Sequence, residues 1–199
     1  MKILKKYKYY ILICITTILT ISALLYEGHT FLSQSGKIYL WMGDLSGSEV
    51  SQHLSDWYSP SHFIHGIIFF FLLSYIFGKF KTPPNLPYKQ GRNSVMLLLA
   101  IIIESAWEIL ENSPIIINRY REGALAAGYF GDSILNSLSD LSFMTLGFFF
   151  AKKFGWKISF IVLIILELVT LYFIRDNLAL NIIMLLHPFE SISNWQIGS

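Results

Sequence analysis

Four carboxylic acids lie within stretches of the sequence that are otherwise apolar. Glu104 and Glu108 are four residues apart, Asp140 lies in a later stretch, and Glu167 stands alone in a third. A charged carboxylate inside a membrane is costly, so each is expected to have a partner. Two neighbouring carboxyl groups can share a proton and perform acid–base chemistry. The alternative is a neutral acid that joins helices by hydrogen bonds, which is the expected role of Glu167.

Two histidines precede these carboxylates at helical spacing. His62 and His65 are three residues apart and lie on one helix face. Such a pair can bind a metal ion if other ligands complete the set, and Glu108 or Asp140 could do so. Alternatively, both rings hydrogen-bond loop carbonyls at the membrane interface. The cofactor therefore stays undetermined, with a divalent metal ion as one of the two interpretations.

The polar residues form stripes at matching depths. Residues four apart share a helix face, and the stripes are Glu104, Glu108 and Glu111, and Asp132, Asn136 and Asp140. At 1.5 Å per residue, Glu104 and Asp140 both lie about 12 Å below the outer end of their helices. Polar stripes are cheapest to bury against one another. They predict a polar pocket in the outer half of a bundle.

Two arginines follow the apolar stretch that contains Glu104 and Glu108. Arg119 and Arg121 are suited to phosphate or carboxylate groups, or they could pair with Glu122 or Asp132. Asp132 follows Gly131 and is expected to cap a helix first and to serve a site second.

The elements that must position these side chains are transmembrane helices. Hydrophobic residues make up 54% of the 199-residue chain and charged residues only 14%. Five stretches approach the roughly 20 apolar residues that cross a bilayer, at about 9–26, 60–80, 94–112, 132–150 and 158–174. The apolar tail at about 178–186 is half as long and predicts an interfacial, amphipathic or re-entrant helix, with a sixth span as the alternative. We therefore expect one all-α domain over residues 1–199, a polytopic bundle.

Residues typical of helix ends predict the helix boundaries, and the distribution of basic residues predicts the membrane topology. Ser59-Pro60 is typical of a helix start, Ser113-Pro114 of a helix end, and the prolines at 83, 84 and 87 of a stiff linker. Eleven of the fifteen basic residues fall on one side of the predicted spans, which places the amino terminus in the cytoplasm and the carboxyl terminus outside. The first span has the features of a signal peptide, but we expect it to be retained as an anchor.

Several functional classes find no support. The single cysteine, Cys14, excludes an intramolecular disulfide and a cysteine metal site. The sequence has no phosphate-binding glycine loop, serine-nucleophile elbow or HExxH motif. The few basic residues are accounted for by topology, so no nucleic-acid partner is expected.

The polar segments resemble two groups of membrane proteins. DWYSPSHFIHG, ESAWEILENSP, GDSILNSLSD and RDNLALNIIMLLHP resemble an uncharacterised family of bacterial multi-pass inner-membrane proteins, over roughly residues 41–195. The resemblance implies an inner-membrane location and no established activity. A second pattern is similar to VanZ-like membrane proteins, although their usual glutamine after the glutamate is not clear here. Its positions would be filled by His62 or His65, Glu104 or Glu108, and Asp132, Asn136, Asp140 and Gly147.

The leading hypothesis is a membrane-embedded enzyme or binding protein for an anionic envelope lipid or lipid-linked precursor. The acid–base or metal-ligating candidates are Glu104, Glu108, Asp140 and His65, and the binding candidates are His62, Asn136, Arg119 and Arg121. A small proton-coupled transporter and a structural or assembly protein are the alternatives. An open cavity between the stripes would favour the first, whereas tight packing without a void would favour interhelical contacts alone.

Overall fold

The computed structural model describes residues 2–45, 47–79, 90–122 and 128–198. Within these ranges the chain is all-α, with one isolated β-bridge between Met42 and Asp56. The helices are α1 Lys2–Glu27, α2 Ser59–Lys79, α3 Gln90–Glu111, α4 Pro114–Arg121, α5 Ile134–Ile174, α6 Leu178–Leu186 and α7 Glu190–Ile197. The predicted proline linker lies outside the described residues.

Among the described residues, four helices are long and apolar enough to cross a membrane. The qualifying segments are Tyr7–Glu27, Ser59–Gly78, Arg92–Glu111 and Ile134–Ile174. Their outward faces carry large apolar side chains that the protein leaves uncovered, such as Leu19 at 63% and Tyr172 at 81% exposure. Exposure of so much apolar surface is unfavourable in water and favourable in lipid. The helices therefore indicate a membrane protein.

Helix α5 reverses direction at Gly155. This residue has φ 73° and ψ 178°, a backbone conformation that is essentially restricted to glycine. A straight helix of 41 residues would be about 60 Å long, with its ends far apart. Instead, both ends meet the start of α2: Asn136 donates to the carbonyl of His53 at 2.7 Å, and Phe173 stacks on Trp57 at 5.2 Å. The two arms of α5 match the two separate spans predicted from sequence.

Helices α2 and the first arm of α5 pack closely at two glycines. A Cβ added to Gly66 would lie 1.9 Å from the Met144 carbonyl oxygen, and one added to Gly147 would lie 1.9 Å from that of Phe63. Neither position has room for any side chain, so the helix backbones touch there. Below this contact lies the main apolar core, formed by Leu73, Met96, Ala100, Ile101, Leu141, Met144 and Phe148.

Short helices lie at the end of the bundle away from Gly155. The tail helix α6 has the predicted bounds, whereas α4 and α7 lie outside the predicted helices. The carboxylate of Glu167 accepts the backbone N–H groups of Leu178 and Ala179, both at 3.1 Å, and so caps the start of α6. The expected helix–helix contact of Glu167 is therefore a contact with the α6 backbone.

One predicted cap is wrong. Ser133, not Asp132, caps α5, because its hydroxyl accepts the N–H of Asn136 at 3.1 Å. Helix α2 begins at Ser59, as predicted, and the Asp56 carboxylate accepts the N–H groups of Tyr58 and Ser59 at 2.7 and 3.2 Å. Asp132 is thereby left free to point its side chain into the bundle.

Candidate functional site

His62 is the centre of a buried histidine–carboxylate cluster. Its Nδ1 lies 2.7 Å from Glu104 Oε1 and 3.5 Å from Glu108 Oε1, and its Nε2 lies 3.9 Å from Asp140 Oδ2. The ring is only 7% exposed. Helices α2, α3 and α5 each contribute to this contact, so the predicted stripes do face one another. His62 connects them, whereas one of its two predicted roles was a hydrogen bond to a loop carbonyl.

Glu104 is the carboxylate shared by the two histidines. His65 Nδ1 lies 3.1 Å from both of its oxygens, and His62 Nδ1 approaches Oε1. An ionised carboxylate only accepts hydrogen bonds, so both rings present their Nδ1 protons to Glu104. The Nε2 atom of His62 is then fixed toward Asp140. A carboxylate that sets a histidine tautomer in this way prepares the other nitrogen for proton transfer or metal binding.

Glu108 and Asp140 lie beside this group and have unsatisfied oxygens. Glu108 is 0% exposed and Asp140 3% exposed. Neither Glu108 oxygen, nor Asp140 Oδ1, takes part in a hydrogen bond with any residue that the structure describes. Glu108 Oε1 lies 3.5 Å from His62 Nδ1, whose proton already lies toward Glu104. Buried carboxylate oxygens without donors are costly, which makes this pair the chemically incomplete part of the cluster.

Asp132 approaches the same pair from the start of α5. Its oxygens accept hydrogen bonds from Asn112 Nδ2 at 3.0 Å and from the Tyr129 hydroxyl at 2.9 Å. Burial raises the pKa of Asp132 to about 6, although these two donors act in the opposite direction. Burial, and then the charge of Asp132, raise the pKa of Tyr129 well above its usual value, so the phenol stays a donor.

An open cleft leads from the surface of the protein to this cluster, where His62, Asn136 and Asp140 form its floor. Five carboxyl groups line it, namely those of Asp56, Glu111, Asp132, Asp140 and Asp176. Its apolar lining includes Leu45, Val50, Met184, Leu185 and Pro188. The cleft thus combines acidic and apolar lining.

Tyr58 and Asp176 join the α2 and α5 sides of the cleft. The Tyr58 hydroxyl donates to Asp176 Oδ2 at 3.2 Å. Burial raises the pKa of Asp176 to about 6, while the backbone N–H of Asn177 and the Tyr58 hydroxyl lower it in part. Burial, followed by the charge of Asp176, raises the pKa of Tyr58 well above its usual value.

The two arginines have different surroundings. Arg119 lines the cleft, donates through Nε to the Leu185 carbonyl at 3.1 Å and pairs with Glu122 at 2.9 Å. Arg121 instead donates to the Tyr129 carbonyl at 2.6 Å and lies over the Phe130 ring. Arg119 alone of this pair therefore has its side chain at the cleft.

Comparison with known proteins places the chain in a family. The family model described as protein of unknown function (DUF2585) matches residues 24–198. The chain belongs to the DUF2585 family. Its similarity to a UPF0314 protein of Rhizobium etli is 46% identity over 171 residues, which cover 86% of this chain and 82% of that protein.

Other relatives of this DUF2585 chain carry the same UPF0314 designation. A protein of Sphingopyxis alaskensis is 46% identical over 175 residues, or 88% of this chain and 87% of its own length. One of Brucella anthropi is 44% identical over 177 residues, covering 89% and 84%. The comparison with solved structures gave no match. The expected uncharacterised family is thus confirmed, whereas the VanZ-like pattern is not shown and stays a resemblance.

Sequence reasoning missed several residues that complete the site of this DUF2585 chain. Asp56, Tyr58 and Asp176 line the cleft, and Tyr129 hydrogen-bonds Asp132. These residues lie in connecting segments, where no periodicity indicates the direction of a side chain. The only available signal was the density of polar residues in SQHLSDWYSP and RDN, directly beside predicted spans.

Proposed function

We propose that the protein is a membrane-embedded enzyme or binding protein for an anionic envelope lipid or lipid-linked precursor. The observation that carries this proposal is the open cleft above the converged polar stripes. Tightly packed stripes would have favoured a purely structural role. An accessible cavity that ends at a buried histidine–carboxylate cluster favours chemistry or binding.

The lining of the cleft fits an amphiphile. Met184 and Leu185 on α6 offer apolar contacts at the level where the acyl region of a lipid would begin, and Arg119 is positioned for a phosphate. The acidic floor would repel an anionic headgroup unless a cation offsets it. Arg119 already pairs with Glu122, so part of its charge is engaged.

Five passes through an inner membrane, with the cleft on the outer face, fit the sequence and the helix geometry. The reversal of α5 at Gly155 turns its 41 residues into two antiparallel arms. The basic residues Lys152, Lys153 and Lys157 flank this reversal, at the end of the bundle away from the cleft. Basic residues favour the cytoplasmic side, so the cleft would open to the outer leaflet.

A proton-coupled transporter is less well supported. Transport requires a polar path from the cluster to the cytoplasmic side. One helical turn below Glu104 and Asp140, however, lie Ala100 and Met144, which belong to the buried apolar core. This core, in the described part of the bundle, offers no carboxylate or histidine that could continue a proton path.

Lipid discrimination by the purified protein tests the proposal. The full-length chain in detergent would be titrated with phosphatidylglycerol or with phosphatidylcholine of the same acyl chains, and binding followed by native mass spectrometry. We expect preferential binding of the anionic lipid and loss of that preference in Arg119→Gln. Arg121→Gln is the matched control, because it removes the same charge from the same helix away from the cleft.

Equal binding of the two lipids by the parent protein would contradict the proposal. The same conclusion would follow if Arg121→Gln removed the preference and Arg119→Gln kept it. A turnover step is tested separately, by comparing lipid extracts of a deletion strain with those of the complemented strain. Accumulation of an anionic lipid in the deletion strain identifies the substrate class.

A further inference from the structure

Three carboxylates from two helices and one loop converge beneath the cleft. Glu108 of α3, Asp132 before α5 and Asp140 of α5 each place an oxygen within 4.8 Å of the others, and all three side chains are buried. We propose that these residues bind a divalent cation. The inference concerns the ion alone and does not depend on whether the cleft accepts a lipid.

The unpartnered Glu108 is the independent observation that points to a cation. Its side chain is fully buried, both of its oxygens lack a hydrogen-bond donor among the described residues, and one of them lies within 4.8 Å of an oxygen of each of the other two carboxylates. Asp140 Oδ1 lacks a hydrogen-bond partner as well. A divalent cation would satisfy these oxygens together and offset two of the three negative charges. His62, which lies within 4 Å of Glu108 and Asp140, already hydrogen-bonds Glu104.

The histidine pair is a poorer position for the ion. His62, His65 and Glu104 also lie close enough to share a metal. Their facing atoms, however, already satisfy one another, since both Nδ1 atoms hydrogen-bond the Glu104 carboxylate. A metal there would have to break those bonds. At Glu108 and Asp140 it would instead bind carboxylate oxygens that have no hydrogen-bond donor among the described residues.

The surrounding groups fit a ligand shell. Asn112 and Tyr129 hydrogen-bond Asp132 and would orient it, as outer-shell partners orient metal-bound carboxylates. His62 Nε2 lies 3.9 Å from Asp140, with its tautomer set by Glu104, and could add a nitrogen ligand. Carboxylate oxygens prefer hard ions such as Mg²⁺ and Mn²⁺, which retain positions for water or a phosphate oxygen.

Manganese binding provides a direct test. The full-length protein, stripped with chelator and kept in detergent without added lipid, would be titrated with Mn²⁺ while the signal of the free ion is read by electron paramagnetic resonance. We expect one saturable site per chain. Glu108→Gln and Asp140→Asn should each weaken binding by roughly 100-fold or more, because loss of even an outer-shell partner costs 10–100-fold. Glu167→Gln is the matched control, because it removes a carboxyl group that caps α6 outside the cluster, and it should retain the parent's affinity. His65→Gln tests the histidine pair.

The melting temperature of each variant without metal shows that a loss of binding occurs in folded protein. Should Glu108→Gln fail to fold, Asp140→Asn and Asp132→Asn provide the same information. Absence of a saturable site in the folded parent would overturn the inference, as would undiminished affinity in the carboxylate variants. Loss of binding in His65→Gln alone would move the ion to the histidine pair and equally reject this site. Because no lipid is present, these outcomes are independent of the lipid-binding test.

Discussion

Substitution of Gly66 tests whether the close contact between α2 and α5 holds the site together. In Gly66→Ala the new Cβ would lie 1.9 Å from the Met144 oxygen and 2.6 Å from the Phe148 nitrogen. Real Cβ atoms essentially never come closer than 3.0 Å to such atoms, so the helices must separate locally by about 1 Å. The obstacle is backbone, and no change of rotamer can relieve it.

The expected cost follows from this geometry. Overpacking of a core costs about 1–3 kcal/mol, and a clash with backbone should lie near about 3 kcal/mol. For a chain of this size each kcal/mol shifts the melting temperature by about 2–4 °C, so we expect a decrease of about 6–12 °C. The separation would also displace His62, one turn above Gly66, from Asp140, one turn above Met144. Mn²⁺ affinity should therefore fall together with stability.

The assay is thermal unfolding in detergent, followed by the loss of the monodisperse peak in size-exclusion chromatography. Gly78→Ala is the matched control on the same helix, because nothing lies within 4 Å of its added Cβ. It should be neutral or gain up to about 1 kcal/mol from helix propensity. If Gly66→Ala melted at the same temperature as Gly78→Ala, the close helix contact would be refuted.

Three further predictions concern the chemistry and the topology. Glu104→Gln keeps the shape of the side chain but cannot hold two histidine tautomers as a carboxylate does. The variant should fold normally and fail to complement a deletion strain. Full complementation would assign Glu104 a structural role. Asp176→Asn tests the burial of a carboxyl group. Because the pKa of Asp176 is about 6 in the folded protein and 3.8 in the unfolded chain, folding is favoured most below pH 3.8. About 3 kcal/mol of unfolding free energy should be lost as the pH rises through about 6. The variant should lack this loss and melt higher than the parent at pH 7.5, and parallel melting curves from pH 4 to pH 7.5 would contradict it. A periplasm-active reporter should be active after residue 199 and silent within residues 82–89, and the reverse pattern would reject the five-pass topology.

The sequence by itself was sufficient to predict which segments form long helices and which residues share one face of a helix. Apolar length predicted the long helices and the tail helix, because the bilayer thickness sets how many residues a span requires. The 3.6-residue period put Glu104 and Glu108 on one face and Asn136 and Asp140 on another. Burial cost then implied that these faces meet, since the groups have no other partner in lipid.

Tertiary structure decided which groups meet and which remain incomplete. Periodicity does not fix how far one helix is rotated or shifted against its neighbour; that depends on close packing, here on the backbone contact at Gly66 and Gly147. This contact assigns Glu104 to both histidines and leaves Glu108 without a donor. Asp132 changed from an expected cap to a member of the cluster because Ser133, one residue later, caps α5 instead. The N–H groups of Ile134 and Leu135, which an Asp132 cap would bind, donate to the carbonyls of Thr30 and Phe31. Connecting segments lack periodicity altogether, so Tyr129 and Asp176 could be placed at the cleft only by the fold.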